Sequence, residues 1–135
     1  MNNEQLTMDN SIRQLIDVSR KYGSDNRFVI AGGGNTSYKD ETTIRIKASG
    51  FALANISEEG FAILDRKKLN IISEKTYSAD PALREAEVKE DLTAACITKD
   101  RRPSVETSMH NAIEYPFIVH LHPTMVNGLM CSQDA

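Results

Sequence analysis

The stretch Arg102–Pro123, RPSVETSMHNAIEYPFIVHLHP, contains every histidine of the 135-residue chain: His110, His120 and His122. Residues 117–122, FIVHLH, follow a proline and are mostly apolar and β-branched, which predicts a strand. Side chains two positions apart on a strand share a face, so we expect His120 and His122 to stand side by side. Two neighbouring imidazoles are a common beginning of a metal site, although a plain polar strand face has the same pattern.

A carboxylate precedes this strand. Glu106 lies near the start of a predicted helix, Val105–Glu114, where it can ligate a metal, act as a base, or simply interact favourably with the helix dipole. His110 follows four residues later on roughly the same helix face, and we interpret it as a structural histidine, with ligation as the alternative. Ser104 can cap this helix or help to bind an anion at its N-terminus.

A glycine-rich segment is the second feature of interest. Gly32–Ser37, GGGNTS, follows the predicted strand Phe28–Ala31, and its glycines let the backbone approach a ligand closely. Consecutive N–H groups in such a loop can converge on an anion, although a glycine-rich turn need not bind anything. The spacing GxGxxS is also a near match to the dinucleotide fingerprint. The alternating strand pattern of Thr43–Lys47 stands close to where that fingerprint requires a helix, which argues against a dinucleotide site.

The remaining elements follow from local signals. Ser49–Gly50 ends the Thr43–Lys47 strand and is expected to face the glycine-rich segment across a hairpin. A first helix is predicted from a cap at Asp9 or Asn10 to a left-handed Gly23. A strand is predicted at Phe61–Asp65, with a short helix after it. Two more helices are predicted: Pro81–Thr98, capped by Asp80, and a last helix after Pro123 with its apolar side in the core.

Composition sets broader limits. Apolar residues make up 40% of the chain and charged residues 26%, which is typical of one globular domain. The net charge of −3 gives no general attraction to nucleic acid or to anionic membranes, so any phosphate site must be local. Cys96 and Cys131 form no CxxC pair and are predicted to be buried free thiols in a reducing compartment. No run reaches transmembrane length, and a cytoplasmic location is expected.

Three ordered motifs carry a resemblance to a known family. They are Arg102–Glu106 followed by His120-Leu-His122, the GGGNTS segment, and Lys47–Gly50, KASG. Together they resemble the class II aldolase/adducin family, nearest to its rhamnulose-1-phosphate aldolase-like branch, which includes domains fused to a short-chain dehydrogenase. The resemblance covers roughly Arg13 to the end and implies α/β/α layers around a mainly antiparallel sheet. We expect residues 1–135 to be the N-terminal portion of such a domain, incomplete at the C-terminus.

The resemblance also implies site residues. In the family a divalent metal, usually Zn²⁺, is held by three histidines; two of them match His120 and His122, while the third, and a proton-donating tyrosine, would lie beyond this chain. Glu106 matches the catalytic acid/base carboxylate. Where relatives often have a second serine, this chain has Val105. The substrate phosphate is expected among neutral donors: Asn35, Ser49, Gly50 and Ser104.

The function implied by the resemblance is retro-aldol cleavage by a zinc-dependent lyase. The expected substrate is a ketose 1-phosphate such as rhamnulose 1-phosphate, which yields dihydroxyacetone phosphate and an aldehyde. The expected assembly is a homo-oligomer, tetrameric in the family, without nucleic-acid or membrane partners. The alternatives are an epimerase or dehydratase on the same metal site and a non-catalytic, adducin-like binding or scaffold domain, with a nucleotide binder last. Metal content separates the enzymes from the scaffold, and the missing ligand raises the question of whether this piece is active alone.

Overall fold

A four-stranded antiparallel sheet organises the computed structural model, which describes residues 3–133; residues 1, 2, 134 and 135 lie outside this range. Its strands are β1 Asn35–Lys39, β2 Thr43–Lys47, β3 Phe61–Asp65 and β4 Phe117–His120. Their spatial order is β3-β2-β1-β4, and every neighbouring pair is antiparallel. The mainly antiparallel sheet expected from the sequence is confirmed.

Five α-helices accompany the sheet in this part of the chain. They are α1 Asn3–Gly23, α2 Arg66–Glu74, α3 Pro81–Ala95, α4 Thr107–Ala112 and α5 Thr124–Met130, with 3-10 turns at Leu53–Asn55 and Glu58–Gly60. The predicted cap of α3 is confirmed, because the Asp80 side chain accepts a hydrogen bond from the backbone N–H of Leu83 and Pro81 is the first helical residue. Within residues 3–133, no helix combines the length and apolar character needed to cross a membrane.

Two adjacent residues of β1 show that helices cover both faces of the sheet. The Thr36 hydroxyl lies 2.7 Å from the hydroxyl of Ser19 in α1. The next residue, Ser37, places its hydroxyl 2.8 Å from Nδ1 of His110 in α4. Consecutive strand side chains point to opposite faces, so α1 and α4 lie on opposite sides of the sheet. The expected α/β/α layering is thereby confirmed.

The core follows the predicted alternation of β2. Ile44 and Ile46 are fully buried on the face that α2 and α3 cover. Their main partners are Leu64, Leu69 and Leu92. A second cluster fills the face under α1: Leu15, Val29, Leu53, Ile56 and Phe61. Each such side chain contributes roughly 1.5–3 kcal/mol of burial free energy, so these two clusters fix the helices against the sheet.

The predicted strand at Phe28–Ala31 is wrong. This segment is irregular, and Ala31 has a φ of 53°, a left-handed conformation that a strand does not accommodate. The strand begins instead at Asn35, inside the segment that we interpreted as a glycine loop. A strand rather than a helix therefore follows the glycines, as the argument against a dinucleotide site requires.

Gly23 ends α1 for a different reason than the one predicted. The helix begins at Asn3, so Asp9 and Asn10 lie inside it rather than capping it, and Gly23 is not left-handed. A Cβ at Gly23 would come within 2.5 Å of the backbone nitrogen of Ala54. Glycine is required here because α1 crosses the 3-10 turn at very short range.

Replacement of Gly23 by alanine is expected to lower the free energy of unfolding by about 1–3 kcal/mol, the typical cost of overpacking. Gly128 is a matched control in α5, because a Cβ there meets nothing within 4 Å. Gly128→Ala is expected to gain about 0.5–1 kcal/mol from helix propensity. Urea unfolding measures both variants, and equal stability of the two would contradict the close crossing.

The prediction that α5 packs into the core is wrong for the described chain. None of its residues is buried, and Met125 and Met130 are 86% and 73% exposed. Cys131, which follows the helix, is exposed as well, contrary to prediction, whereas Cys96 is buried as predicted. The apolar side of α5 lacks a cover among residues 3–133, so periodicity alone could not reveal its exposure.

Candidate metal and acid–base site

Three side chains converge at the end of β4. Glu106 is the residue that immediately precedes α4, His110 lies within α4, and His120 ends β4. Their ligand atoms all lie within 4.8 Å of one another. Glu106 Oε2 is 3.2 Å from His120 Nδ1 and 3.9 Å from His110 Nε2. A single atom or ion between them can therefore contact one carboxylate and two imidazoles.

Ser104 fixes the position of Glu106. Its hydroxyl accepts a hydrogen bond from the backbone N–H of Glu106 at 3.2 Å, and its carbonyl accepts one from the N–H of Thr107 at 3.1 Å. This turn delays the helix, so that α4 spans Thr107–Ala112 rather than the predicted Val105–Glu114. Glu106 is consequently held by a turn at the mouth of the helix, close to the predicted place.

His110 is anchored from two sides. Its Nδ1 lies 2.8 Å from the Ser37 hydroxyl, and its backbone carbonyl accepts a hydrogen bond from Lys39 Nζ at 2.7 Å. Burial lowers the pKa of His110 to about 4, against the opposing attraction of Glu106, so the ring is neutral at pH 7. These contacts suit a structural histidine, as we interpreted it. The same ring also turns Nε2 toward Glu106.

Buried atoms without partners mark this cluster as a ligand site. Glu106 Oε2, His110 Nε2 and His120 Nδ1 are buried and have no hydrogen-bond partner, so the close contacts within the cluster are all that they make. An unsatisfied buried polar atom costs about 1–3 kcal/mol. Zinc binds imidazole nitrogen and carboxylate oxygen at about 2.0–2.2 Å, which separates donors by about 3.3–3.6 Å in a tetrahedral site. The donor types fit a divalent metal ion, and the 3.2 and 3.9 Å separations from Glu106 lie close to this range.

His122 lies beside the cluster rather than in it. Strand β4 ends at His120, and the backbone N–H of His122 donates to the carbonyl of Phe28 at 3.0 Å. The exposed His122 ring stands 4.9 Å from the His120 ring, centroid to centroid. The two rings are neighbours as expected, but His110 is the histidine that faces Glu106 together with His120. A shared metal on His120 and His122 stays a prediction.

The four residues predicted to bind the substrate phosphate lie at two places: Asn35 with Ser104, and Ser49 with Gly50. Asn35 Nδ2 donates to the Ser104 hydroxyl at 2.8 Å, and the buried Asn35 Oδ1 has no partner, so this pair lies against the Glu106 site. The backbone N–H of Ser49 donates to the carbonyl of Arg102 at 3.0 Å. Ser49 also borders an open cleft of about 690 Å³ next to α3. Gly50 is exposed with a φ of 93°, which favours glycine.

Glu106 is ionised at neutral pH. Burial raises the pKa of Glu106, but the donor groups of His120 and Asn35 next to the carboxylate outweigh burial. The net pKa lies below the ordinary value for glutamate. A carboxylate that carries its charge at pH 7 can accept a proton or bind a metal.

The buried neutral His110 predicts acid sensitivity of the metal-free protein. The pKa of His110 is about 4 in the folded protein and about 6.5 in an unfolded chain, so the unfolded state binds more protons between these pH values. Stability from this residue is therefore present above pH 6.5 and is lost as pH falls toward 4, with a slope of at most about 1.4 kcal/mol per pH unit. Urea unfolding with chelator from pH 7 to 4 should show a smaller slope in His110→Gln. Equal slopes would contradict a buried neutral ring.

The supporting contacts of three residues were not predicted from the sequence, although Ser37 and Lys47 lie in two of the motifs. Ser37 and Lys39 hold His110, and the buried Lys47 bonds to two loop carbonyls. Ser37 and Lys39 alternate with Asn35 along one face of β1, so recognition of that strand would have placed them on the side of His120.

An antiparallel sheet between helices, with a carboxylate and imidazoles converging at one strand end, defines an α/β domain with a candidate metal and acid–base site. The family model described as "Class II Aldolase and Adducin N-terminal domain" matches residues 13–135. The chain belongs to this family, and the resemblance drawn from its three motifs is confirmed.

The chain is also similar to a curated protein and to a solved structure. The chain is 28% identical over 134 residues to the "Uncharacterized oxidoreductase YuxG" of Bacillus subtilis (strain 168), a match that covers 91% of this chain and 19% of that protein. A solved structure, that of the N-terminal class II aldolase domain of a conserved protein from Thermoplasma acidophilum, is similar with a TM-score of 0.77 and 25% identity. That match covers 90% of this chain and 59% of the solved chain. The chain thus spans about a fifth of the curated relative.

Proposed function

We propose that the protein containing this chain is a metal-dependent sugar-phosphate aldolase. It cleaves a ketose 1-phosphate, with rhamnulose 1-phosphate as the leading substrate, into dihydroxyacetone phosphate and an aldehyde. We further propose that it acts in the cytoplasm as a homo-oligomer with Zn²⁺ as its metal. Family membership supports a lyase of this class, and the arrangement around Glu106 supports the metal-assisted reaction.

One observation carries the proposal. The unpartnered oxygen of Glu106 lies among two unpartnered imidazole nitrogens, those of His110 and His120. Buried polar atoms normally have partners, and one bound ion would contact all three of these atoms. The hydrogen-bonded pair Asn35–Ser104 lies against the same carboxylate, which supports a substrate phosphate beside it.

The residues divide the chemistry between them. His120, with His110 or His122, would hold the ion, and a bound divalent metal supplies a Lewis acid for the substrate carbonyl. Asn35, Ser104 and the Ser49–Gly50 turn orient the phosphate. Cleavage breaks the C3–C4 bond, leaves its electron pair on the three-carbon fragment, and turns C4 with its hydroxyl into the aldehyde. We propose that the ionised Glu106 takes up the proton that the C4 hydroxyl loses and delivers it to C3 to complete dihydroxyacetone phosphate.

The test combines metal content with product release. The purified protein is expected to contain about one zinc per chain and to release dihydroxyacetone phosphate from rhamnulose 1-phosphate, with chelator abolishing the release. Zinc is measured by mass spectrometry and the product by coupled reduction with NADH. Zinc without product from this substrate would point to another substrate or to an epimerase or dehydratase. Absence of both would favour the non-catalytic, adducin-like reading.

A further inference from the structure

A cavity of about 270 Å³ lies between α2 and α4. Helix α2 contributes four residues at the i, i+3, i+4 and i+7 positions of one helical face: Arg66, Leu69, Asn70 and Ser73. From α4, Ser108 and Ala112 line the cavity. Successive helical residues are turned by about 100°, so these two lie on the side of α4 opposite His110. The cavity is therefore behind α4, away from the candidate metal site.

The hydrogen bonds along this cavity engage its amide oxygens. Arg66 Nε donates to Asn111 Oδ1 at 2.9 Å, and Asn111 Nδ2 donates to Asn70 Oδ1 at 2.9 Å. Arg66 Nη1 also donates to the backbone carbonyl of Asp40. Within residues 10–133, no acceptor is recorded for the other guanidinium N–H groups, the N–H groups of the Asn70 amide or the Ser108 hydroxyl. A cavity that keeps mainly donors fits a ligand that mainly accepts hydrogen bonds.

Two cations at this end of the sheet lack an ion pair in the same part of the chain. Neither Arg66 nor Lys39 takes part in any of its salt bridges, and the one carboxylate that lines the cavity, that of Glu114, is exposed. Lys39 is 6% exposed, and its Nζ donates to the carbonyl of His110, the residue before Asn111, at 2.7 Å. Burial lowers the pKa of Lys39, and the charge of Arg66 lowers it further. Two such cations favour an anion near them.

We propose that this cavity binds a small oxyanion, the carboxylate or phosphate group of a metabolite, between the guanidinium of Arg66 and the amide of Asn70. A guanidinium presents its N–H groups in a plane that matches two oxygens of either group. Pockets for drug-sized ligands usually measure about 300–1,000 Å³, so this cavity suits a smaller molecule. The site uses neither the candidate metal ligands nor the proposed cleavage, and it goes beyond the proposed function.

The test is a titration of the metal-free protein with phosphate and with malonate, followed by amide chemical shifts in nitrogen-15 NMR. A sodium chloride titration of equal ionic strength is the blank. Both oxyanions are expected to shift the amides of Asn70, Ser108 and Asn111 in a saturable way, and chloride is not. The anion that binds more tightly identifies the preferred group. Shifts at Asn35 or Gly50 report the separate phosphate site of the proposed function.

Arg66→Met is expected to weaken binding at the cavity about tenfold or more, because it removes the charged partner of the anion. The matched control is Lys67→Met, which removes an exposed positive charge from the next position of α2 and should leave the affinity within about twofold. If Arg66→Met does not fold, Asn70→Asp keeps the acceptor for Asn111 and adds a negative charge to the cavity. It should weaken binding at least as much.

Three results would each overturn the anion site. They are the absence of saturable shifts beyond the chloride blank, an affinity unchanged in Asn70→Asp, and a loss in Lys67→Met equal to that in Arg66→Met. Shifts at Asn35 alone would also overturn it and would leave the proposed function in place. Saturable shifts at Asn70 and Asn111 that Arg66→Met removes would establish the site, whether or not the protein holds zinc or cleaves a sugar phosphate.

Discussion

Replacement of Glu106 by glutamine is expected to slow the exchange of one C3 hydrogen of dihydroxyacetone phosphate with solvent deuterium by about 10²- to 10⁴-fold. Exchange at C3 is the half-reaction in which the base moves a proton without needing the aldehyde. Glutamine keeps the size of the side chain and its place after Ser104, but it cannot take up the proton. Proton NMR in deuterated buffer measures the rate directly.

The matched control for this prediction is Glu114→Gln. Glu114 follows α4 and is exposed, so its loss should leave the exchange rate within a factor of two. Zinc content of the Glu106→Gln variant distinguishes a base from a ligand, because a pure base leaves the metal in place. Exchange at the normal rate in Glu106→Gln would rule out the acid–base role.

Replacement of His120 by alanine is expected to weaken zinc binding by more than about 100-fold. Loss of a residue that only supports a ligand already costs about 10- to 100-fold in metal affinity, and His120 is itself one of the three donors of the candidate site. His110→Ala and His122→Ala then identify the second imidazole. The cluster around Glu106 predicts the larger loss for His110, whereas the sequence motif predicts it for His122. Competition with a chromophoric chelator measures all three affinities.

The variant Ser37→Ala tests whether His110 is a metal ligand, because Ser37 contacts the His110 ring without being a ligand itself. Ser37 contacts Nδ1 of His110 and lies outside the cluster, so its removal should cost about 10- to 100-fold if His110 is a ligand and nothing if it is not. Urea unfolding of each variant shows whether the buried His110 can be removed without loss of the fold. Unchanged zinc affinity in His120→Ala would contradict the metal site altogether.

The elements predicted correctly are those with local signals. Strand β2 alternates buried Ile44 and Ile46 with more polar residues, and α3 begins at a proline behind an aspartate cap. Strand β1 carried no such signal, because Ser37 and Lys39 are buried against His110, more than 70 positions away. Polar side chains on the inner face of a strand lead to the prediction of a loop, because their distant partners cannot be seen in the sequence.

The sequence predicted most of the residues of the candidate metal site, but not which histidine faces Glu106 together with His120. The motifs singled out Glu106 and His120, which the structure brings to 3.2 Å. They favoured His122 over His110, because His120 and His122 on one expected strand already fitted the family's metal site. The strand stops at His120 since the next backbone donor, that of His122, bonds to Phe28 from a distant part of the chain. Such non-local hydrogen bonds leave no periodic trace in the sequence.

Because Thr36 and Ser37 point to opposite faces of the sheet, the protein is expected to tolerate few insertions or deletions in the turn that follows β1. Thr36 serves α1 and Ser37 serves His110, and the tight turn at residues 40–42 sets the pairing of β1 with β2. One residue inserted or deleted there shifts the register by one and exchanges the two side chains between faces. Both contacts are then lost together. Insertion or deletion of one residue in this turn is therefore expected to be more damaging than most substitutions nearby.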